Sequence, residues 1–281
     1  MSTTPGIDVS RWQGEINWNA VAAAGYRFAV VRATIGNYYT DPRFYENWNG
    51  ARGAGVLVSA YHVVAPDRPA DSQIDRFFDV LGARKSDLPL VLDIELSHDI
   101  SPADITACIK DCAHKVEQRD GRKPIIYTAG WFWNNQVLES PEWSAYDLWV
   151  ANYGVSAPSL PTGWSEWKIW QYSDKGQVPG IAAATDLNWF AGSHDDLLAY
   201  ANVEPEPEDE PQPDAGLRAR VVASRVNVRS GPGANYSDIG DLYRGAVVNV
   251  VSLDGKDVWV EFEPGKWAAL TFHGTRYMEL E

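Results

Sequence analysis

Residues 204–214 divide the chain, because their sequence, EPEPEDEPQPD, is unsuited to a folded core. The segment holds six acidic residues and four prolines, and none of the aliphatic or aromatic residues that build cores. Proline and mutually repelling carboxylates keep such a segment extended, and it buries too little surface to offset the entropy lost on ordering. The sequence therefore predicts a first domain at 1–203, a linker at 204–214 and a second domain at 215–281.

The first domain alternates short apolar runs with longer amphipathic stretches. The apolar runs predict strands at 28–33, 56–61, 88–95, 124–128, 148–152 and 168–172. The amphipathic stretches predict helices at 18–24, 44–54, 70–81 and 102–118. Such alternation is typical of an α/β fold built from βαβ units. A complete eightfold (β/α) barrel takes about 250 residues, so we expect an abbreviated barrel whose later strands lack full helices.

The second domain has a different pattern, in which Gly, Asp and Pro turns separate short strands. The predicted strands are 226–229, 239–242, 246–253, 258–262 and 266–270. The sequence therefore predicts a small all-β barrel of roughly 65 residues, which is near the lower size at which domains fold unaided.

Four acidic residues stand at or near the ends of predicted strands. Asp93 and Glu95 are two positions apart, so they share one face of their strand, and like charges this close raise one pKa. Asp8 ends the apparent first strand, and Asp186 lies close to the last one. Each acid alone is compatible with an incidental position at a solvent-exposed strand end. Together they suit glycoside hydrolysis, which needs a proton donor and a second, negative group.

Several motifs in this order resemble glycoside hydrolase family 25, the Chalaropsis-type lysozymes of bacteriophage endolysins and bacterial autolysins. The resemblance spans about residues 5–200. It is carried by Asp8-Val-Ser-Arg-Trp12-Gln, Tyr61-His62, Asp93-Ile-Glu95, Trp149-Val-Ala-Asn-Tyr153, Trp170-Gln171-Tyr172 and Asp186-Leu-Asn188. In the second domain, Val226-Asn-Val-Arg-Ser-Gly-Pro-Gly233 resembles the bacterial SH3 (SH3b) wall-binding modules. Lys266-Trp267-Ala268 departs from the usual Gly-Trp-Val of those modules.

The resemblance implies a flattened barrel with incomplete helices and an N-acetylmuramidase activity. Such an enzyme cuts the β-1,4 bond between N-acetylmuramic acid and N-acetylglucosamine in peptidoglycan, without a cofactor. Glu95 would be the general acid and then the base, while Asp93 and Asp8 would orient it and hold charge. Asp186 would either attack the anomeric carbon or orient the 2-acetamido group of the substrate to do so.

Aromatic and amide side chains beside these acids are candidate substrate contacts. The predicted substrate-binding residues are Trp12, Tyr61, His62, Tyr153, Trp170, Gln171 and Asn188. Trp131 and Trp133 lie in a predicted loop and are further candidates for lining the cleft. Strand alternation predicts that Trp149 packs in the core, opposite the mouth.

Charge and cysteine content limit the partners. The net charge is −14, with 8 basic and 8 acidic residues in 215–281, so a surface for nucleic acid is not expected. The chain lacks the roughly 18 consecutive apolar residues of a membrane helix. The two cysteines, Cys108 and Cys112, fall on one predicted helix without a matching histidine spacing, which argues for packing rather than zinc. We expect a monomer without metal whose partner is peptidoglycan.

Two other functions fit parts of the sequence. A non-catalytic peptidoglycan-binding protein would keep the cleft without turnover, although the intact acids argue against it. A wall amidase or peptidase would need a Cys–His pair or a histidine-rich zinc site. The N-terminus has no charged, apolar leader. We therefore expect either synthesis in a host cytoplasm and action on the wall, as for a phage endolysin, or a chain that lacks its signal.

Overall fold

A computed structural model describes residues 2–201, 218–250, 252–254, 258–263 and 265–280. The chain divides into two compact units, Met1–Pro205 and Glu206–Glu281. The predicted linker, residues 204–214, lies outside the described residues. Within those residues, none of the helices combines the length and the apolar character that crossing a membrane requires.

The first unit is a closed barrel with a partial set of helices. Its strands are β1 (Thr4–Val9), β2 (Phe28–Ile35), β3 (Tyr39–Thr40), β4 (Leu57–Val63), β5 (Val91–Asp93), β6 (Ile125–Ala129), β7 (Leu148–Ala151), β8 (Ile169–Gly176) and β9 (Thr185–Phe190). Its helices are α1 (Trp18–Ala23), α2 (Phe44–Gly53), α3 (Ala70–Leu81), α4 (Pro102–Asp120), α5 (Gly130–Gln136) and α6 (His194–Tyr200).

The barrel closes through eight strands in the order β1-β2-β4-β5-β6-β7-β8-β9, and β9 returns to β1. Neighbouring strands from β1 to β8 are parallel, whereas β9 runs antiparallel to both of its neighbours. Within residues 2–201, no α-helix separates β7 from β8 or β8 from β9. The prediction of an abbreviated α/β barrel with incomplete helices is thus confirmed.

Local sequence explains where the longest helix begins and ends. The Ser101 side chain accepts a hydrogen bond from the Asp104 backbone N–H, and Pro102 occupies the first turn of α4. The helix ends at Gly121, whose φ of 80° is the left-handed conformation that glycine adopts most readily. The predicted strand at 88–95 is shorter in the structure, where β5 is only three residues long, so Glu95 lies beyond the strand end.

Two apolar layers enclose the barrel wall. The outer layer packs α1–α4 against the barrel, and the inner layer fills its floor with side chains such as Phe28 and Trp149. Gly6 is required here, because a Cβ at this position would lie 2.3 Å from the Phe28 ring. Towards the carboxyl ends of the parallel strands the inward positions become polar. Thus Val91 is followed by Asp93, Ile125 by Tyr127 and Ile169 by Gln171. The barrel therefore presents a polar pocket at this end.

The second unit is all-β, as predicted. Its strands are β10 (Arg218–Val221), β11 (Arg225–Arg229), β12 (Asp238–Tyr243), β13 (Val247–Asn249), β14 (Ser252–Asp254), β15 (Trp259–Glu263), β16 (Lys266–Ala269), β17 (Thr271–Phe272), β18 (Thr275–Arg276) and β19 (Met278–Leu280). They form small antiparallel sheets around a core that includes Val226, Trp259 and Met278. The single strand predicted at 246–253 is wrong: β13 pairs with β10, whereas β14 pairs with β15.

Candidate active site

The structure brings the four predicted acids into one pocket at the carboxyl ends of the parallel strands. Asp8 on β1 is paired with Asp186 on β9, Asp93 ends β5, and Glu95 follows two residues later. All four line a cavity of about 280 Å³. Its other lining residues are Tyr61, Tyr127, Trp149, Tyr153, Gln171 and Asp174. This end of a barrel is where its enzymes place their catalytic groups.

Two amide side chains hold Asp8, which is buried. The Asp8 Oδ2 atom accepts a hydrogen bond of 2.8 Å from Gln171 Nε2 and another of 2.8 Å from Asn188 Nδ2. The Asn188 amide is oriented in turn, since its Oδ1 accepts from Trp149 Nε1 at 2.8 Å. Desolvation raises the pKa of Asp8, and these hydrogen bonds oppose that rise because they stabilise the charged carboxylate.

The Gln171 amide is oriented by two tyrosines. Its Oε1 accepts from the Tyr127 hydroxyl at 2.8 Å and from the Tyr153 hydroxyl at 2.6 Å, which leaves Nε2 to point at Asp8. Because the amide oxygen already receives both hydroxyl protons, the opposite amide orientation would put an oxygen against the Asp8 carboxylate. The network therefore fixes a single orientation of the Gln171 amide between the two tyrosine hydroxyls and Asp8.

The pocket holds more carboxyl groups than can all be ionised together in neutral solution. Burial, the charge of Asp8 and a hydrogen bond to Asp8 raise the pKa of Asp186 to about 8. Burial and then the charges of Glu95 and Asp8 raise the pKa of Asp93 well above its usual range. The pKa of Glu95 is also raised, by desolvation within the pocket and by the charge of Asp8. Protonated carboxyl groups near neutral pH are what general acid catalysis requires.

Arg32 acts against these shifts. It lies on β2, and its positive charge lowers the pKa of both Asp93 and Glu95. Its guanidinium is held by a buried ion pair, in which Arg32 Nε lies 2.8 Å from Asp41 Oδ2. Sequence analysis did not single out Arg32, because its effect depends on the position of β2 in the barrel.

Only part of the predicted substrate-binding set lines the pocket. Tyr61, Tyr153 and Gln171 contribute to its wall. Asn188 is fully buried and supports Asp8 rather than facing the cavity. Trp12 lies outside the pocket in a short 3₁₀ helix after β1, with 67% of its surface exposed.

The structure corrects the predictions for His62 and Trp170, which face away from the pocket. His62 is buried between the barrel and α3, with Nδ1 2.7 Å from Thr34 Oγ1 and Nε2 3.1 Å from Gln73 Oε1. Trp170 packs in a separate outer cluster and donates from Nε1 to the Asn152 carbonyl at 2.8 Å. The reason is strand alternation: Tyr61 and Gln171 are their immediate neighbours and point inward, so His62 and Trp170 point outward.

The structure also corrects the predictions for three tryptophans, of which Trp131 and Trp133 lie on α5 rather than in a loop. Trp149 is buried in the core, as predicted, but it lies on the pocket side rather than opposite the mouth, because it pairs with Ile169 on the inward face of β8. Trp133 is fully buried and donates from Nε1 to the Thr162 carbonyl at 3.0 Å, so it does not line a cleft. Trp131 is 72% exposed and does not line the pocket either.

Tyr127 and Asp174 line the pocket but are not among the site residues that the sequence predicts. Tyr127 was detectable, because it lies two positions after the inward Ile125 and so shares its face. Asp174 was not, since the pairing of β8 with β9 is irregular between Gln171 and Gly176, and simple alternation fails there.

The described residues contain no group of three or more His, Cys, Asp or Glu side chains arranged to hold a metal ion. Cys108 and Cys112 are free thiols on α4; Cys112 is buried and Cys108 half-buried. The site is thus built from carboxylates, tyrosines and amides.

Comparison with known proteins identifies the family of the chain. The family described as glycosyl hydrolases family 25 matches residues 7–181. The chain belongs to this family. Lysozyme M1 of Streptomyces globisporus is 39% identical over 218 residues, which are 72% of each protein. The N,O-diacetylmuramidase of Chalaropsis sp. is 31% identical over 71% of this chain and 99% of its own length.

A family 25 fold is also found among solved structures. The bacterial lysozyme from Streptomyces coelicolor superposes with a TM-score of 0.68 at 38% identity, covering 73% of this chain and all of that one. Residues 224–276 match the bacterial SH3 domain family. The chain is therefore a glycoside hydrolase of family 25 with a bacterial SH3 domain.

Proposed function

We propose that the protein is an N-acetylmuramidase that hydrolyses the β-1,4 bond between N-acetylmuramic acid and N-acetylglucosamine in peptidoglycan. The observation that carries this proposal is the convergence of Asp8, Asp93, Glu95 and Asp186 in one tyrosine-lined pocket. The lysozyme and diacetylmuramidase names of the relatives support the choice of substrate. The bacterial SH3 match supports a cell-wall setting.

Glu95 is the general acid in this proposal. It is exposed at the pocket mouth, where it can reach a glycosidic oxygen, and desolvation and the charge of Asp8 raise its pKa, which favours the protonated form that an acid catalyst needs. It donates this proton as the glycosidic bond breaks, so the leaving sugar departs as an alcohol. The Glu95 carboxylate then removes a proton from the attacking water, which restores the acid. Asp8, whose charged form is stabilised by the Gln171 and Asn188 amides, supplies negative charge near the oxocarbenium-like centre, and Asp93 orients Glu95.

For Asp186 we favour an orienting role over nucleophilic attack. Its pKa of about 8 and its hydrogen bond to Asp8 mean that it carries a proton in neutral solution. The single O–H of Asp186 donates to Asp8, which leaves Asp186 a poor nucleophile whose other oxygen can accept a hydrogen bond from the N–H of the 2-acetamido group. Asp186 therefore suits the alignment of the 2-acetamido group for attack on the anomeric carbon.

The decisive experiment compares Glu95→Gln with a matched control, Glu139→Gln, an exposed residue outside the pocket. Without its acid the Glu95 variant should lose at least about a thousandfold in activity on Gram-positive cell walls, whereas the control should keep the parental rate. Mass spectrometry of the parental digest should find muramic acid at the new reducing ends. Intact glycan with cleaved amide bonds would instead establish an amidase or peptidase, and binding without any cleavage would establish a non-catalytic wall protein.

We further propose that the second unit anchors the enzyme to the wall. Tethering raises the local enzyme concentration without adding catalytic contacts. Deleting residues 204–281 should therefore preserve hydrolysis of soluble fragments and weaken lysis of whole cells. If the full chain and the deletion variant lysed whole cells equally, the anchoring proposal would be refuted.

We also propose a monomer that is made in a host cytoplasm and is released to the wall, as phage endolysins are. The resemblance to endolysin lysozymes supports this route. Expression in a bacterial host should leave cells intact until their membrane is permeabilised, and sedimentation should give the mass of one chain. Lysis without permeabilisation, or a dimer mass, would contradict these two statements.

A further inference from the structure

An arginine–aromatic stack connects the pocket side of the barrel with the surface. The stack consists of Arg32, Tyr39, Arg11 and Trp12, in that order. Arg32 Cζ lies 5.7 Å from the centroid of the Tyr39 ring, and Arg11 Cζ lies 5.6 Å from the same centroid. Arg11 Cζ also lies 4.4 Å from the centroid of the Trp12 ring. Each guanidinium is within the range of a cation–π interaction.

The outer part of the stack is held in place although it is exposed. Buried Asp41 accepts at Oδ2 both from Arg32 Nε at 2.8 Å and from the Arg11 backbone N–H at 3.1 Å. The 3₁₀ helix that carries Arg11 and Trp12 has a capping box formed by Ser10 and Gln13. An exposed aromatic ring held in this way loses little further entropy when a ligand packs on it.

The two arginines differ in whether a carboxylate pairs with the guanidinium group. The Arg32 guanidinium is engaged by Asp41. In the part of the chain that the structure describes, by contrast, the Arg11 guanidinium has no carboxylate partner and stacks only on Trp12 and Tyr39. Its planar N–H donors are therefore available to an anionic ligand.

The position of this cation is informative because the neighbouring pocket is acidic. Five carboxyl groups line the pocket, including the exposed Asp174, and those that are ionised repel an anionic group on a bound sugar. Arg11 is three positions after Asp8, which lines the pocket. Asp41 joins Arg11 to Arg32, whose charge acts on Asp93 and Glu95. Arg11 thus offers a cation, three positions from the pocket-lining Asp8, that can stabilise such an anionic group.

We propose that Arg11 and Trp12 form a glycan subsite beside the pocket, in which Trp12 packs on a sugar ring and Arg11 binds a carboxylate carried by a muramic acid unit. This inference rests on the proposed function, since muramic acid is the acidic sugar of that substrate. The carboxylate has two sources: the lactyl group of the sugar itself, or the peptide attached to it. Both present the same planar anion to the guanidinium.

Binding to the full chain tests the subsite, with Glu95→Gln as the parental background to prevent turnover. Three probes are soluble peptidoglycan strands with peptides, the same strands stripped by an amidase to expose the lactyl carboxylates, and stripped strands whose carboxylates have been amidated. The variants are Arg11→Gln, Arg11→Lys and Trp12→Ala. The matched control is Arg84→Gln, which removes an arginine stacked 4.5 Å above the Tyr45 ring, outside the pocket lining and the stack.

We expect Arg11→Gln to raise the dissociation constant about tenfold for probes that carry the recognised carboxylate and to leave the amidated probe unaffected. A loss on stripped strands assigns the lactyl carboxylate, and a loss confined to peptide-bearing strands assigns the peptide. Arg11→Lys should recover part of the affinity, because it keeps the charge but not the planar fork. Trp12→Ala should weaken all three probes, and Arg84→Gln none.

Two results would overturn the subsite. One is an Arg11→Gln variant that binds both carboxylate-bearing probes within about twofold of the parent. The other is an equal loss on the amidated probe, which would show that the charge is not recognised. If the protein with Glu95 intact cleaves the glycan and Arg11→Gln has no effect, the subsite alone is refuted. A protein that binds none of the probes refutes the proposed function as well.

Discussion

Replacing Gln171 with methionine tests whether the amide network holds the acid pocket together. Methionine keeps the length and the unbranched shape but removes three hydrogen bonds. The bond to the buried Asp8 carboxylate is worth about 1.5–3 kcal/mol, and leaving the Tyr127 hydroxyl without its acceptor costs about 1 kcal/mol more. Tyr153 is exposed enough for water to replace its bond. The Gln171→Met variant should therefore lose about 3 kcal/mol of unfolding free energy.

Calorimetry of the full chain measures this loss. For a unit of about 200 residues, 3 kcal/mol corresponds to a fall in Tm of about 6–12 °C. Tyr153→Phe is the matched control, because it removes only the exposed bond to the same amide; it should cost less than about 1 kcal/mol. The variant should also move the acidic limb of the pH–rate profile to higher pH, since Asp8 loses a donor that stabilises its charged form.

A Gln171→Met variant within about 1 kcal/mol of the parent, with an unchanged acidic limb, would refute this reasoning. It would mean that water reaches Asp8 and replaces the amide. A loss of the same size in Tyr153→Phe would refute it differently, by showing that the exposed hydroxyl stabilises the fold as much as the buried carboxylate contact does.

Three further predictions follow from the charges. Asp8→Asn removes a charge that raises the pKa of Glu95, so the alkaline limb of the kcat/KM profile should move to lower pH. Arg32→Gln removes a charge that lowers the same pKa, so this limb should move to higher pH. Shifts of the same sign in the two variants would contradict this. Asp186→Asn should retain more kcat on a defined glycan than Glu95→Gln, because an amide still donates a hydrogen bond; equal losses would favour nucleophilic attack. Burial lowers the pKa of His62 to about 4, so the unfolded chain binds the extra proton between pH 6.5 and 4. Stability should fall by up to about 3 kcal/mol from this group as the pH drops through that window, and denaturant titrations should not show this component in His62→Gln.

Much of the fold could be predicted because it depends on local patterns. Alternating apolar and amphipathic stretches gave the strands and helices of the barrel, and α3 has the bounds that its periodicity predicts. The predicted start of the helix at 102 also agrees with α4, which begins at Pro102 after the Ser101 cap. The acids at strand ends could be recognised as a group because parallel strands place their carboxyl ends at one edge of a sheet.

The predictions failed where two adjacent residues of a strand compete for the pocket. In Tyr61-His62 and Trp170-Gln171 both residues have chemistry suited to a sugar site, yet only one of each pair points inward. The sequence shows that side chains alternate between the two faces of a strand, but it does not show which face points into the barrel. That choice depends on which residues of the neighbouring strands are hydrogen-bonded. Gln171 faces inward because its partners are Ala151 on β7 and Asn188 on β9.

The amino-acid sequence by itself determined the two-part organisation, the α/β character of the first part and the acids that serve as candidate catalysts. These features depend on composition and on periodicities of a few residues. Only the tertiary structure decided which side chains meet. Asp8 is held by Gln171 and Asn188, which are 163 and 180 residues away, because the barrel closes through β9. Closure brings these groups into a common low-dielectric pocket, and this environment raises the pKa values of the acids as no pattern of neighbouring residues could do.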